Sequence, residues 1–142
     1  MGQDGQPPEV RWPYDDARDQ WAPAYQPPPA ATDEAVRRRL NGGELFPPNV
    51  AAIRDAIDRG QPVVIGIRLY ATWHGVGSDG RIAMPLISSR DLGGHAVVVV
   101  GYRDDALVIQ NSWGNDWGEN GLAYLPHDYV DNFAIAAWSL AQ

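Results

Sequence analysis

One stretch limits the folds open to this chain more than any other: GGHAVVVVGYRDDALVIQNSWGNDWGENG, running from Gly93 to Gly121. It reads as a β-hairpin. The β-branched run Val97 to Val100 is too short and too closely bracketed by glycine to be a helix. Gly101-Tyr102-Arg103-Asp104-Asp105 carries turn chemistry, and Ala106 to Ile109 returns as the second strand. The hairpin brings His95 and Asn111 to the same open end, where the loop length decides their geometry. An odd loop sets Asn111 opposite Val97 and on the face of His95, as a diagonal pair at roughly 7–8 Å between backbones. An even loop throws the two side chains to opposite faces. We expect the odd loop.

At 142 residues and 44% apolar the chain is large enough to bury a core. Its formal charge of −7 leaves no basic stripe to neutralise phosphates, so no nucleic-acid partner is expected. No apolar run approaches the roughly 18 residues of a membrane-spanning helix, so no membrane is expected either. The opening residues, MGQDGQPPEV, lack the charged start and apolar core of a signal peptide, which points to the cytoplasm. There is no cysteine, which excludes disulfides and thiolate zinc sites. His74, His95 and His127 show no metal-ligand spacing, so neither metal nor cofactor is expected.

Residues 1–30 are rich in Pro, Gln and Asp. Pro7, Pro8, Pro13, Pro23 and Pro27-Pro28-Pro29 forbid a long helix. Trp12, Tyr14, Trp21 and Tyr25 supply anchors that would hold this extended segment on the domain formed by residues 31–142. Thr32 is a candidate cap for a short helix with Asp33 and Glu34 in its first turn, Arg37-Arg38-Arg39 in its last, and Asn41-Gly42-Gly43 ending it. Asn49 caps a clearer helix whose apolar stripe is Val50, Ile53, Ala56 and Ile57, with Gly60 as terminator. Val63 to Leu69 is near-continuously apolar, which implies a central strand covered on both faces. Ile82 to Ile87 is a candidate strand interrupted by Pro85. Gly121 to Leu125 and Phe133 to Leu140 are further strands, with a loop over Pro126 to Asn132. Strands following two helices argue an α+β domain.

Gly94-His95-Ala96-Val97, Gly101-Tyr102, Asn111-Ser112-Trp113-Gly114 and Trp117-Gly118-Glu119-Asn120-Gly121 together resemble the C-terminal half of the papain-like (C1 family) cysteine peptidases. Trp12-Pro13-Tyr14-Asp15 is similar to a segment lying downstream of the cysteine-bearing helix in bacterial members, so the resemblance starts after that helix. Gln20-Trp21-Ala22 looks like the family's Cys-Trp-Ala, but Pro23 and the triple proline deny it the helix that the nucleophile begins. The resemblance implies a strand-rich, barrel-like antiparallel sheet with two short helices. It makes His95 the general base, Asn111 the residue that orients it, and Trp113 the indole shielding their bond. Gly94, Trp73 and Trp117 join Trp113 as candidate binding residues.

A cysteine peptidase needs a thiolate beside an imidazolium and donors aimed at the oxyanion. These 142 residues lack the nucleophile, and the resemblance places the oxyanion donors in the absent half. Ser112 neighbours Asn111 along a strand and so points to the other face. Ser78, Ser88, Ser89 and Ser139 sit in no nucleophile-elbow context. Three functions of different class follow. The first is a non-proteolytic pseudo-enzyme serving as a binding or scaffold module, through a protein partner or a homodimer on a tryptophan-edged face around His95. The second is half of a split peptidase, completed by a thiol-bearing chain. The third uses His95 and Asn111 for acid–base work on a peptide or small-molecule ligand. The first is the main expectation.

Overall fold

The computed structural model describes residues 7–8, 10–12, 27–38 and 42–141. The expected anchors Tyr14, Trp21 and Tyr25, the rest of the Trp12-Pro13-Tyr14-Asp15 segment, Gln20-Trp21-Ala22 and Arg39 lie outside them. The chain divides into two compact units, residues 1–42 and residues 43–141. In the first, helix α1 (Pro29–Ala35) passes into a 3-10 turn at Val36–Arg38. The helix begins before Thr32 because Pro29 has its φ preset and no N–H to leave unpaired. Thr32 therefore sits inside the helix, with Oγ1 turned back on the Pro28 carbonyl, and caps nothing.

The second unit is built on one open sheet. Its strands are β1 (Gly42–Phe46), β2 (Val63–Tyr70), β3 (Asp91–Tyr102), β4 (Ala106–Gln110), β5 (Leu122–Pro126) and β6 (Ala134–Ala141), in the spatial order β1-β6-β2-β3-β4-β5. The pairings of β2 with β3 and β6, and of β4 with β3 and β5, are all antiparallel. The sheet does not close into a barrel. Helix α2 (Val50–Asp58) starts where expected, with the Asn49 side chain accepting from Ala52 N–H at 2.9 Å. It buries Ile53 and Ala56 and stops at Gly60, which adopts φ +74°. A third helix, α3 (His127–Phe133), occupies the expected loop and buries Tyr129 and Val130. Residues 82–87 form no strand; only Arg81 bridges to Tyr124. No described helix is long and apolar enough to cross a membrane.

β2 is central, as expected, but among the described residues only one of its faces is covered by other elements. Val63, Ile65, Ile67 and Leu69 are buried, while Val64 and Gly66 are half-buried and Arg68 is exposed. The covered face carries α2, α3 and the aromatic residues of the core. On the other face the registers align residues in rows across strands. Trp138, Val64, Val98 and Gln110 form one row; Ala136, Gly66 and Ala96 form the next. The result is a floor of small residues with a wall of large ones on one side and Arg68 on the other. Four residues of strand separate row 64 from row 68, about 13 Å.

The β3–β4 hairpin corrects the expected loop. Arg103 N–H donates to the Ala106 carbonyl at 2.7 Å, which closes an even, two-residue turn over Asp104 and Asp105. Tyr102 pairs with Leu107 and Gly101 with Val108, yet Val99 pairs with Ile109 and Val98 with Gln110. Val100 is an extra residue on β3, a β-bulge that shifts the register by one. The bulge supplies the odd offset that the turn does not, and continuing the register puts Asn111 opposite Val97.

Candidate active site

His95 stands at the open end of β3, opposite Ile67 of β2 and therefore on the covered face. Gly93 and Gly94 just before it lie in open space, where an added Cβ would meet nothing within 4 Å. Gly93 also takes φ +100°, a conformation that strains a residue with a side chain. Asp91 fixes this mouth, accepting from Gly93 N–H at 2.8 Å and from Arg68 Nη2 at 2.6 Å. Those two partners, the Gly93 N–H first, hold the Asp91 carboxyl below the usual carboxylate range.

His95 Nε2 lies 2.9 Å from Asn111 Oδ1. The same oxygen accepts from Ser112 N–H at 2.8 Å, and that contact settles the chemistry. A backbone N–H can only donate, so the atom of the Asn111 amide that faces it must be the oxygen. The oxygen cannot donate to the ring, so Nε2 carries the proton. Neutral His95 therefore keeps its lone pair on Nδ1, on the side away from Asn111, where it can take a proton. Asn111 is only 9% exposed, and its Nδ2 is buried with no hydrogen-bond partner among the described residues. Leaving such a donor unpaired costs about 1–3 kcal/mol. The amide stays in place because its backbone N–H is tied to the Gly121 carbonyl at 3.0 Å and its oxygen is doubly engaged.

Trp113 lies beside this bond, its ring centroid 5.2 Å from that of His95 with planes 33° apart. Trp73 and Trp117 are placed differently from the expectation. They are 0% and 8% exposed, so neither offers a face to a ligand. They form the support beneath the pair, stacked at 5.9 Å, with Trp73 edge-on to His95 at 6.0 Å. Trp117 Nε1–H donates to the Trp73 carbonyl, and Trp73 Nε1–H to Tyr129 Oη, both at 2.9 Å. Tyr129 Oη–H donates to the Arg68 carbonyl at 2.8 Å, and burial pushes its hydroxyl up to about 12.

Tyr129 was invisible as a site residue because Pro126 to Asn132 reads as a loop. Its only sequence signal is an aromatic three residues after a proline that can open a helix. His74 was likewise missed; it lies flat on Trp113, 5.5 Å away with planes 8° apart.

The expected tryptophan-edged surface around His95 is mostly internal to this aromatic cluster. On the uncovered face of the sheet, Trp138 is 53% exposed. A groove of about 390 Å³ lies there, lined by Val64, Ala96, Val98, Gln110 and Ser112 among others, and it reaches Asn111. Among the described residues no group of His, Cys, Asp and Glu has the geometry of a metal site.

The sequence matches the model of papain family cysteine proteases over residues 4–140. A peptidase C1-like protein of Acanthamoeba polyphaga mimivirus is 33% identical over 96 residues, which cover 63% of this chain and 31% of that protein. Papain of Carica papaya is 30% identical over 113 residues, covering 72% of this chain and 32% of papain. Xylellain, a cysteine protease from Xylella fastidiosa, superposes with a TM-score of 0.79 at 29% identity, over 99% of this chain and 58% of xylellain. The chain thus spans about a third of the length of these curated relatives.

Proposed function

Since the chain belongs to the papain family of cysteine proteases, we propose that these 142 residues act as a protein-binding module that retains a histidine–asparagine pair but hydrolyses no peptide unaided. The observation that carries this reading is the absence of any cysteine. His95 has a proton acceptor to offer and no thiol to activate. The uncovered sheet face supports the binding role. Its small-residue floor of Ala136, Gly66 and Ala96 lets a partner's backbone come close, and the Trp138 indole beside it offers exposed apolar area. The outward face of α2 is charged, with Asp55, Asp58 and Arg59 exposed, so a second copy presents no apolar helix there. We therefore read the partner as a different polypeptide rather than a second copy of this chain.

The chain alone, assayed with a fluorogenic peptide from acid to neutral pH, is expected to show no turnover above buffer. Turnover that disappears in His95→Ala would overturn the reading.

One observation favours a second reading, completion in trans. Asn111 leaves the basic nitrogen of His95 free, the arrangement a thiol from another chain would use. Mixing this chain with the part of xylellain that has no counterpart here is the test. Thiol-dependent hydrolysis that His95→Ala abolishes would establish completion; its absence in a mixture that sediments as one complex would leave the binding module alone.

A further inference from the structure

Exposure falls stepwise across four side chains: His74 is exposed, Trp113 and His95 are half-buried, and Asn111 is buried. Each touches the next. His74 stacks on Trp113, Trp113 lies tilted against His95, and His95 hydrogen-bonds Asn111. His74 is the outermost layer and makes no hydrogen bond among the described residues that would explain its placement. Its backbone is held independently of Trp113. It sits in the 3-10 helix Ala71–Gly75 between buried Trp73 and buried Val76, and Val76 N–H closes on the Trp73 carbonyl. Trp113, by contrast, enters a loop and is followed by Gly114 in a left-handed conformation, φ +87°. Besides His95, its ring contacts are Trp73 and Trp117, both near edge-on at 70° and 79°, and the parallel His74. Edge contacts support a ring from below; only a parallel neighbour stops it from swinging outward.

We propose that His74 is a positioning residue: it clamps Trp113 against His95 and so keeps water from the His95–Asn111 hydrogen bond. The stack requires a flat ring at position 74. It does not require an imidazole. This inference concerns the chain by itself and stands or falls apart from the binding role proposed above.

The proton on His95 Nε2 reports the clamp directly. In histidine-labelled chain its exchange with solvent can be followed by nuclear magnetic resonance for the parent and for His74→Ala, His74→Phe, Trp113→Ala and the double variant His74→Ala/Trp113→Ala. His74→Ala is expected to speed exchange roughly tenfold while the melting temperature stays within about 2 °C, because an exposed side chain adds little stability. His74→Phe should return the rate to within about twofold of the parent. Trp113→Ala should speed exchange at least as much as His74→Ala, and the double variant should match Trp113→Ala, since a residue acting through Trp113 has nothing left to act through. Parent-like exchange in His74→Ala, a Phe variant as fast as the Ala one, or a double variant faster than Trp113→Ala would each overturn the proposal. So would a parent proton exchanging too fast to observe, because no shielding would then exist.

Discussion

Tyr129→Phe removes a single oxygen from beneath the His95–Asn111 pair, and its consequences can be worked out at two pH values. At neutral pH the hydroxyl accepts from Trp73 Nε1–H and donates to the Arg68 carbonyl. Trp73 is 0% exposed, so its indole N–H loses its partner with no water to replace it. A buried donor left this way costs about 1–3 kcal/mol, reduced slightly because Phe needs no desolvation of a hydroxyl. We take about 2 kcal/mol, which in a chain of this size lowers the melting temperature by about 4–8 °C. Urea unfolding should show a lower midpoint with an unchanged slope, since the surface exposed on unfolding is the same.

At high pH the ordering changes. The Tyr129 hydroxyl ionises near 10 in the unfolded chain but only at about 12 in the folded one. Between those values the unfolded state sheds the proton first and is favoured. The stability that burial lends is therefore present below pH 10 and is lost as pH rises to about 12, by roughly 3 kcal/mol for two units. All eleven basic side chains of this sequence are arginine, so no lysine titration overlaps the window and only tyrosines contribute. Tyr124 is raised as well, by its hydrogen bond to Glu119, so Tyr124→Phe serves as the control. The Tyr129→Phe chain should be the weaker one at neutral pH and should lose less between pH 10 and 12. A variant as stable as the parent at neutral pH, or one with the parent's alkaline decline, would refute this account of the cluster.

Asn49→Ala should lower stability by about 1 kcal/mol in urea unfolding, through loss of the cap on Ala52 N–H. Gly118 sits at φ +61°, where an added Cβ would collide with the Leu122 carbonyl. Gly118→Ala should therefore cost at least about 2 kcal/mol by the same measurement, and a neutral effect would mean that this turn is softer than described. Deleting Val100 removes the bulge and leaves a regular β3–β4 ladder in which Val99 still faces Ile109 and Gly101 still faces Val108, while the pairs with β2 all lie before the deletion; folding and the slow exchange of the His95 Nε2 proton should both survive it.

How much of this could be read beforehand depended on whether the relevant signal is local. The helix capped by Asn49 and ended by Gly60 was legible because cap, stripe and stop lie within one short window. α3 was not, because Pro126 reads equally well as a loop and what makes the segment helical is the burial of Tyr129 and Val130 against strands distant in sequence. The apolar run of β2 could not reveal an uncovered face, since Val64 looks the same in a sequence whether or not something packs on it.

The hairpin is the sharpest case. The side on which His95 and Asn111 meet is a matter of parity, and residue counting located the parity in the turn. The turn is even, and the strand itself restores the offset at Val100, among four consecutive valines that give no local sign of which one is extra. Parity can be carried by any residue between the two partners, so a motif fixes that a histidine and an asparagine belong together without fixing how the backbone brings them there. That separation explains why recognition by short motifs succeeds where geometry read from the same residues fails. It also means that the approach of His95 to Asn111 runs through a one-residue register shift at Val100, several residues along the chain from either partner.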